Sequence, residues 1–169
     1  MTTYIALLRA VNVGGTGKLP MTDLKKLCEE AGFQGVRTYI ASGNVIFNSP
    51  KRTKQVKQTL EERLESYAGK RISVAVRTAE ELSAVLKANP FPEKELNRTV
   101  AIFLDQAPPA DAVKKATGVA NELMELGRHE IYVYYGEGMG TSKLKIPAAK
   151  EGTARNINTI TKLVELSTK

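Results

Sequence analysis

Val36-Arg37-Thr38-Tyr39-Ile40-Ala41-Ser42-Gly43-Asn44-Val45-Ile46-Phe47 reads as two strands folded about a turn. Val36 to Ile40 is β-branched and aromatic, Ser42-Gly43-Asn44 is turn chemistry, and Val45-Ile46-Phe47 starts the return strand. Upstream, Leu24, Leu27, Cys28 and Ala31 recur at helical spacing until Gly32 stops them. Residues 3–10 before them form a short buried strand. Downstream, Asn48-Ser49-Pro50 opens a helix, with Ser49 as N-cap, Pro50 in the first turn, and Val56, Leu60, Leu64 and Tyr67 as its core stripe. Ile72, Val74 and Val76 then alternate with Ser73 and Ala75 in a half-buried strand. The order is β-α-β-β-α-β, the ferredoxin-like arrangement.

The rest of the chain starts with Thr78-Ala79-Glu80-Glu81, a capping box ahead of Leu82, Val85 and Leu86, and Asn89-Pro90 ends that helix. Residues 99–104 form a strand apolar on both faces, and Pro108-Pro109 leads into a helix over about 110–119. Two short strands near 122–127 and 130–135 meet around Gly127-Arg128-His129. Helical segments near 142–150 and 157–167 close the chain, with Pro147 breaking or starting one of them. The expectation is an α+β protein of two ferredoxin-like (β-α-β-β-α) halves, with antiparallel sheets and helices on one face. Residues 1–77 make the first half. Residues 78–169 make the second, which ends in a helix and lacks the usual last strand.

Of the 169 residues, 42% are apolar and 25% charged, which is globular composition. One Cys leaves no intramolecular disulfide and no Cys-based metal site, which suits a reducing compartment. The run Tyr4-Ile5-Ala6-Leu7-Leu8 is too short to cross a membrane and no Lys or Arg precedes it, so a cytoplasmic location is expected. Residues 1–77 carry 13 Lys and Arg against 6 Asp and Glu, residues 78–140 carry 6 against 10, and residues 141–169 carry 6 against 2. Two basic regions flank an acidic middle. They can attract phosphates, nucleic acid or an acidic protein face, or simply attract each other.

Arg9-Ala10-Val11-Asn12-Val13-Gly14-Gly15-Thr16-Gly17-Lys18-Leu19-Pro20 joins the first strand to the first helix. Its glycines can turn N–H groups toward an oxyanion. It is not a phosphate loop: Asn12 stands where the first Gly belongs, and Leu19 follows Lys18 in place of Ser or Thr. Nor is it a dinucleotide fingerprint, because Gly15-Thr16-Gly17 is followed by Lys-Leu-Pro. The bland reading is a connection that needs glycine for positive φ.

The stretch Tyr4-Ile5-Ala6-Leu7-Leu8-Arg9-Ala10-Val11-Asn12-Val13-Gly14-Gly15 resembles the opening of a bacterial family, domain of unknown function 1697, whose members read Y-I-A-L-L-R-G-I-N-V-G-G. Further matches lie at Pro20-Met21 with Leu24, at Arg37 to Val45, at Asn89-Pro90-Phe91 and at Thr153-Ala154-Arg155-Asn156-Ile157-Asn158-Thr159. Ala10 replaces a usual Gly, and Ile157 a usual Trp. The resemblance implies an α+β fold of two ferredoxin-like halves, and it implies no reaction.

The residues offer little for acid–base or nucleophilic chemistry. The single His, His129, sits in a turn between charged neighbours, and Cys28 lies on the apolar stripe of the first helix. No His and Cys spacing suggests a metal site, and no pattern names a cofactor. The polar candidates lie at strand ends, turns and a helix start: Arg9, Asn12, Gly14, Gly15, Lys18, Ser42, Asn44, Thr153, Arg155, Asn156 and Asn158. Asn156 would cap the last helix and put Arg155 beside its free N–H groups, which suits a carboxylate or phosphate; alternatively, Asn44 and Asn156 are turn and cap residues only.

The leading expectation is a cleft for a small anionic or nucleotide-like ligand, formed by residues 9–18, 42–44 and 153–158. An enzyme there would work by positioning and charge stabilisation. Second comes a protein-partner or structural module. Third is a basic nucleic-acid binder with Tyr39 and Phe47 as stacking platforms, although the strand around Phe47 lacks the RNA-recognition signature.

Overall fold

The structure is a computed structural model that describes residues 1–9, 19–39 and 43–168. The first sheet contains β1 (Thr2–Leu8), β2 (Gln34–Tyr39), β3 (Asn44–Ser49) and β4 (Val74–Thr78) in the antiparallel order β2-β3-β1-β4. Helices α1 (Met21–Glu30) and α2 (Thr53–Ala68) connect them as expected. Alternation puts Tyr4, Ala6 and Leu8 of β1 on one face with Val45, Phe47, Val74 and Val76, where they form a core with Leu24, Cys28, Val56, Leu60 and Leu64 of the two helices. Phe33 stacks on Phe47 at 4.2 Å between ring centroids.

Three readings of this region need correction. The strand β3 runs on through Ser49, paired with Thr2, so Ser49 is no N-cap. Its hydroxyl accepts the Lys51 N–H at 3.2 Å instead, and α2 starts at Thr53, where the Gln55 side chain accepts the Arg52 N–H at 3.1 Å. Tyr67 is 44% exposed; α2 outruns the sheet beyond Leu64, and the Tyr67 hydroxyl donates to the Asp23 carboxylate. The strand β4 is buried on both faces, Ala75 and Arg77 as well as Val74 and Val76.

Helix α3 (Ala79–Lys87) carries the expected capping box: the Thr78 hydroxyl accepts the Glu81 N–H at 3.1 Å and the Glu81 carboxylate accepts the Thr78 N–H at 2.9 Å. The Asn89 side chain then accepts the Phe91 N–H at 2.9 Å and turns the chain at Pro90.

The second sheet contains β5 (Thr99–Phe103), β6 (Leu123–Leu126), β7 (Glu130–Tyr134) and β8 (Thr153–Asn156), antiparallel in the order β6-β7-β5-β8. This is the order of the first sheet, strand for strand. The last strand expected to be missing is therefore present: β8 pairs with β5, and α4 (Ile157–Ser167) follows it. Its four residues show no apolar alternation, because an edge strand needs only backbone pairing.

The helix read over 110–119 is a string of turns, from Ala112 N–H to Pro109 C=O at 3.0 Å through Ala116 N–H to Val113 C=O at 3.2 Å. Gly118, at φ +70°, and the Thr117–Lys145 bridge end it. The segment 142–150 holds only a short 3-10 turn, Pro147–Ala149, because its start is tied to Thr117 in extended form. One face of the sheet still gains a core, in which Val100, Ile102, Ile131 and Val133 pack with Ala112, Leu144 and Ile146.

The chain is thus an α+β protein of two four-stranded antiparallel sheets with ferredoxin-like strand order. It divides into two compact units, Met1–Leu82 with Leu163–Lys169, and Ser83–Lys162. Among the described residues, no helix is long and apolar enough to cross a membrane.

Candidate functional site

Strand register sorts the polar residues of the first sheet. Directly paired residues share a face, and Ile5 pairs with Ile46 and Arg77, Leu7 with Asn44 and Ala75, Ile46 with Arg37, and Asn44 with Tyr39. The face opposite the helices therefore carries Arg37, Tyr39, Asn44 and Arg77 among buried Ile5, Leu7, Ile46 and Ala75. Arg9 extends it. Its N–H donates to the Ser73 C=O at 3.0 Å, which continues the β1–β4 ladder in register, so Arg9 follows Leu7 on the same face.

Burial grades these groups. Asn44 is fully buried and its Nδ2 donates to the Tyr39 C=O at 3.0 Å, closing the β2–β3 turn. Arg77 is 8% exposed and donates to the Val76 C=O at 3.0 Å. Arg9, Arg37 and Tyr39 are half-buried. The Arg37 guanidinium makes no hydrogen bond or ion pair among the described residues, and neither does the Tyr39 hydroxyl. From strand spacing, Tyr39 and Arg9 lie about 12 Å apart at Cα, and Arg37 and Tyr39 about 7 Å. Asn12, Gly14, Gly15, Lys18 and Ser42 lie outside the described residues. Their flanks are placed: Arg9 precedes the glycine-rich segment and Gly43 accepts the Leu8 N–H at 2.9 Å, both at one end of the sheet. Arg37 was absent from the sequence-derived candidates. The signal was available, because alternation with Val36 assigns it to the face away from the helices.

The second group has a different character. Thr153 is 4% exposed, opposite Phe103 in β5. Arg155 pairs with Ala101 and donates to the Ala154 C=O at 2.9 Å, and burial pulls its guanidinium down to about 10. Asn156 is the N-cap of α4, its side chain accepting the Thr159 N–H at 2.8 Å, and Asn158 is exposed in the first turn. The residues leading into the helix start, Thr153–Asn156, form a strand, so Arg155 and Asn156 leave the backbone on opposite sides.

Burial, followed by the nearby Glu29 charge, pushes the Cys28 thiol up to about 12, so it is no nucleophile at neutral pH. His129 is half-buried in the β6–β7 turn, where its C=O accepts the Leu104 N–H at 2.9 Å. No group of three or more His, Cys, Asp or Glu is placed to hold a metal. Phe47 is fully buried under Phe33, so it offers no platform for a nucleobase.

Two sheets of identical ferredoxin-like order, the first with an arginine-bearing face, define a class of paired α+β proteins. The chain belongs to the family described as protein of unknown function (DUF1697), whose profile matches residues 1–132. It is similar over 100% of its length, and 99% of the other's, to the solved structure of a conserved bacterial protein from Streptococcus pneumoniae, at 26% identity and a TM-score of 0.82. No functionally curated protein matches it.

Proposed function

We propose that the chain binds a small anionic or nucleotide-like ligand at the end of the first sheet, with Arg9 and Arg37 as charge partners. Asn44 holds the β2–β3 turn beside them. The observation that carries this reading is Arg37: a half-exposed guanidinium without a partner among the described residues, on the same sheet face as Arg9 and Tyr39. A guanidinium offers five donors in a fixed fork that matches carboxylate and phosphate. The glycine-rich segment follows Arg9, and Asn12, Lys18 and Ser42 are the residues in the two undescribed segments that would add donors. The excess of 13 Lys and Arg over 6 Asp and Glu in residues 1–77 favours the approach of an anion.

The test is a thermal-shift and calorimetric panel of nucleotides, sugar phosphates and carboxylates against the full chain. At least one ligand is expected to stabilise it, with the shift reduced in Arg9→Ala and Arg37→Ala. The same titration on Arg155→Ala reads whether the second group contributes. No shift with any ligand, or equal shifts in the Arg9 and Arg37 variants, defeats the proposal.

A further inference from the structure

The edge of a β-sheet presents unpaired N–H and C=O groups to any passing chain, and natural proteins blunt it. Each sheet here has two edges, β2 and β4 in the first and β6 and β8 in the second. Three of them carry a guard. At β4 the Glu61 carboxylate accepts the Val74 N–H at 3.0 Å, the Lys57 ammonium donates to the Val74 C=O, and Arg77 occupies the Val76 C=O. At β8 Arg155 occupies the Ala154 C=O in the same manner. At β2 a register shift between Gln34 and Arg37, with Gly35 at φ +59°, breaks the line.

The edge β6 carries none. Its ladder to β7 is regular from Leu123 to Leu126, and the Gly127 N–H donates to the Glu130 C=O at 2.7 Å across a two-residue turn. That bond sets the parity: Leu123, Glu125 and Gly127 direct their backbone groups at β7, so those of Met124 and Leu126 point outward. Among the described residues these outward groups have no partner.

We propose that β6 is a docking edge that takes an extended basic segment of a partner protein as an added strand. Charge selects this occupant. Glu125 is exposed on the edge, in a stretch (78–140) that carries 10 Asp and Glu against 6 Lys and Arg. A cavity of about 240 Å³ at the start of β6, between residues 118–122 and 137–143, adds exposed Glu137 beside Lys143, while Glu122 is buried and accepts from the Ala120 N–H and the Ser142 hydroxyl. Apolar anchorage is at hand, since Val119, Leu123 and Met139 are 48%, 44% and 51% exposed. The same charge disfavours a second copy of the chain. Antiparallel pairing through Met124 and Leu126 of both copies sets the two Glu125 side chains directly opposite each other, which is destabilising. Backbone pairing supplies affinity, while a basic residue opposite Glu125 and an apolar one opposite Leu123 supply selectivity.

The experiment titrates the isotope-labelled full chain with the blocked peptide Thr-Val-Thr-Lys-Thr-Val-Thr, which sets Val opposite Leu123 when Lys faces Glu125, and with its counterpart carrying Glu for Lys. The basic peptide is expected to bind and to slow hydrogen exchange at the Met124 and Leu126 amides. Glu125→Lys, an exposed change that leaves the fold intact, is expected to weaken it roughly fivefold or more and to favour the acidic peptide. Overturning results are no binding of the basic peptide, unchanged exchange at the two amides, or equal affinity in the variant. Protection of those amides that grows with protein concentration in the absence of peptide also overturns it, because the occupant is then a second copy.

Discussion

Cys28 shows how one side chain shapes behaviour across pH. Its thiol is fully buried on α1, and its pKa rises from 9.0 to about 12. The folded state keeps the proton while the unfolded state loses it above pH 9, so stability is unaffected below that point and falls as pH rises toward 12. Between pH 8 and 10 this group alone is expected to cost on the order of 1 kcal/mol, and Cys28→Ala, whatever its cavity cost, should show a correspondingly flatter decline in urea-unfolding free energy over that range. Gly118 is the second residue whose identity is forced. It sits at φ +70°, and a Cβ there would lie 2.1 Å from the Lys143 carbonyl oxygen. Gly118→Ala is expected to destabilise by about 2–3 kcal/mol, combining left-handed backbone strain with a clash against main chain. Gly140→Ala, where nothing lies within 4 Å, is the control and should stay within about 0.5 kcal/mol.

At the scale of elements, the helix starts divide by how their N–H groups are satisfied. Asn156 alone caps α4, whereas Thr78 shares the start of α3 with Glu81. Asn156→Ala is expected to cost about 1 kcal/mol and Asn156→Gly only a few tenths, with Thr78→Ala no worse than Asn156→Ala because the Glu81 bond survives; urea midpoints read all three. These caps were legible in the sequence because they are local, a side chain and an N–H three residues on. So was the first sheet, where apolar spacing and turn residues agree element by element. The second was less so. The turns over 109–116 bury little beyond Ala112, and they imitate a helix only until Gly118. The strand β8 exists because β5 offers it backbone groups, a partner some fifty residues away that no local pattern reveals. The candidate site divides on the same line. Arg9 and Asn44 were visible at element ends, while Arg37 required knowing which face of the hairpin the helices cover.

At the scale of the whole molecule, the repetition of one strand order is matched by a repeated ending, Arg77-Thr78-Ala79 into α3 and Arg155-Asn156-Ile157 into α4, each with an edge arginine on the preceding carbonyl. The formal net charge of +7 is also a whole-molecule property, and it attracts any polyanion without a built site. Salt separates that general attraction from the proposed ligand. Nonspecific nucleic-acid binding through many phosphates loses about 10³-fold or more between 50 and 200 mM salt. A ligand held by two half-buried arginines displaces few counterions, and partial burial limits screening, so its affinity should fall only a few-fold over the same range. The measurement is a pair of calorimetric titrations, one with the best small ligand of the panel and one with a mixed oligonucleotide, at both salt concentrations. Arg37→Ala is expected to abolish most of the first and leave the second nearly unchanged, since removing one of 25 Lys and Arg residues barely alters the general field. Equal salt slopes for the two ligands, with equal sensitivity to Arg37, would assign the attraction to net charge and leave the sheet face without a ligand.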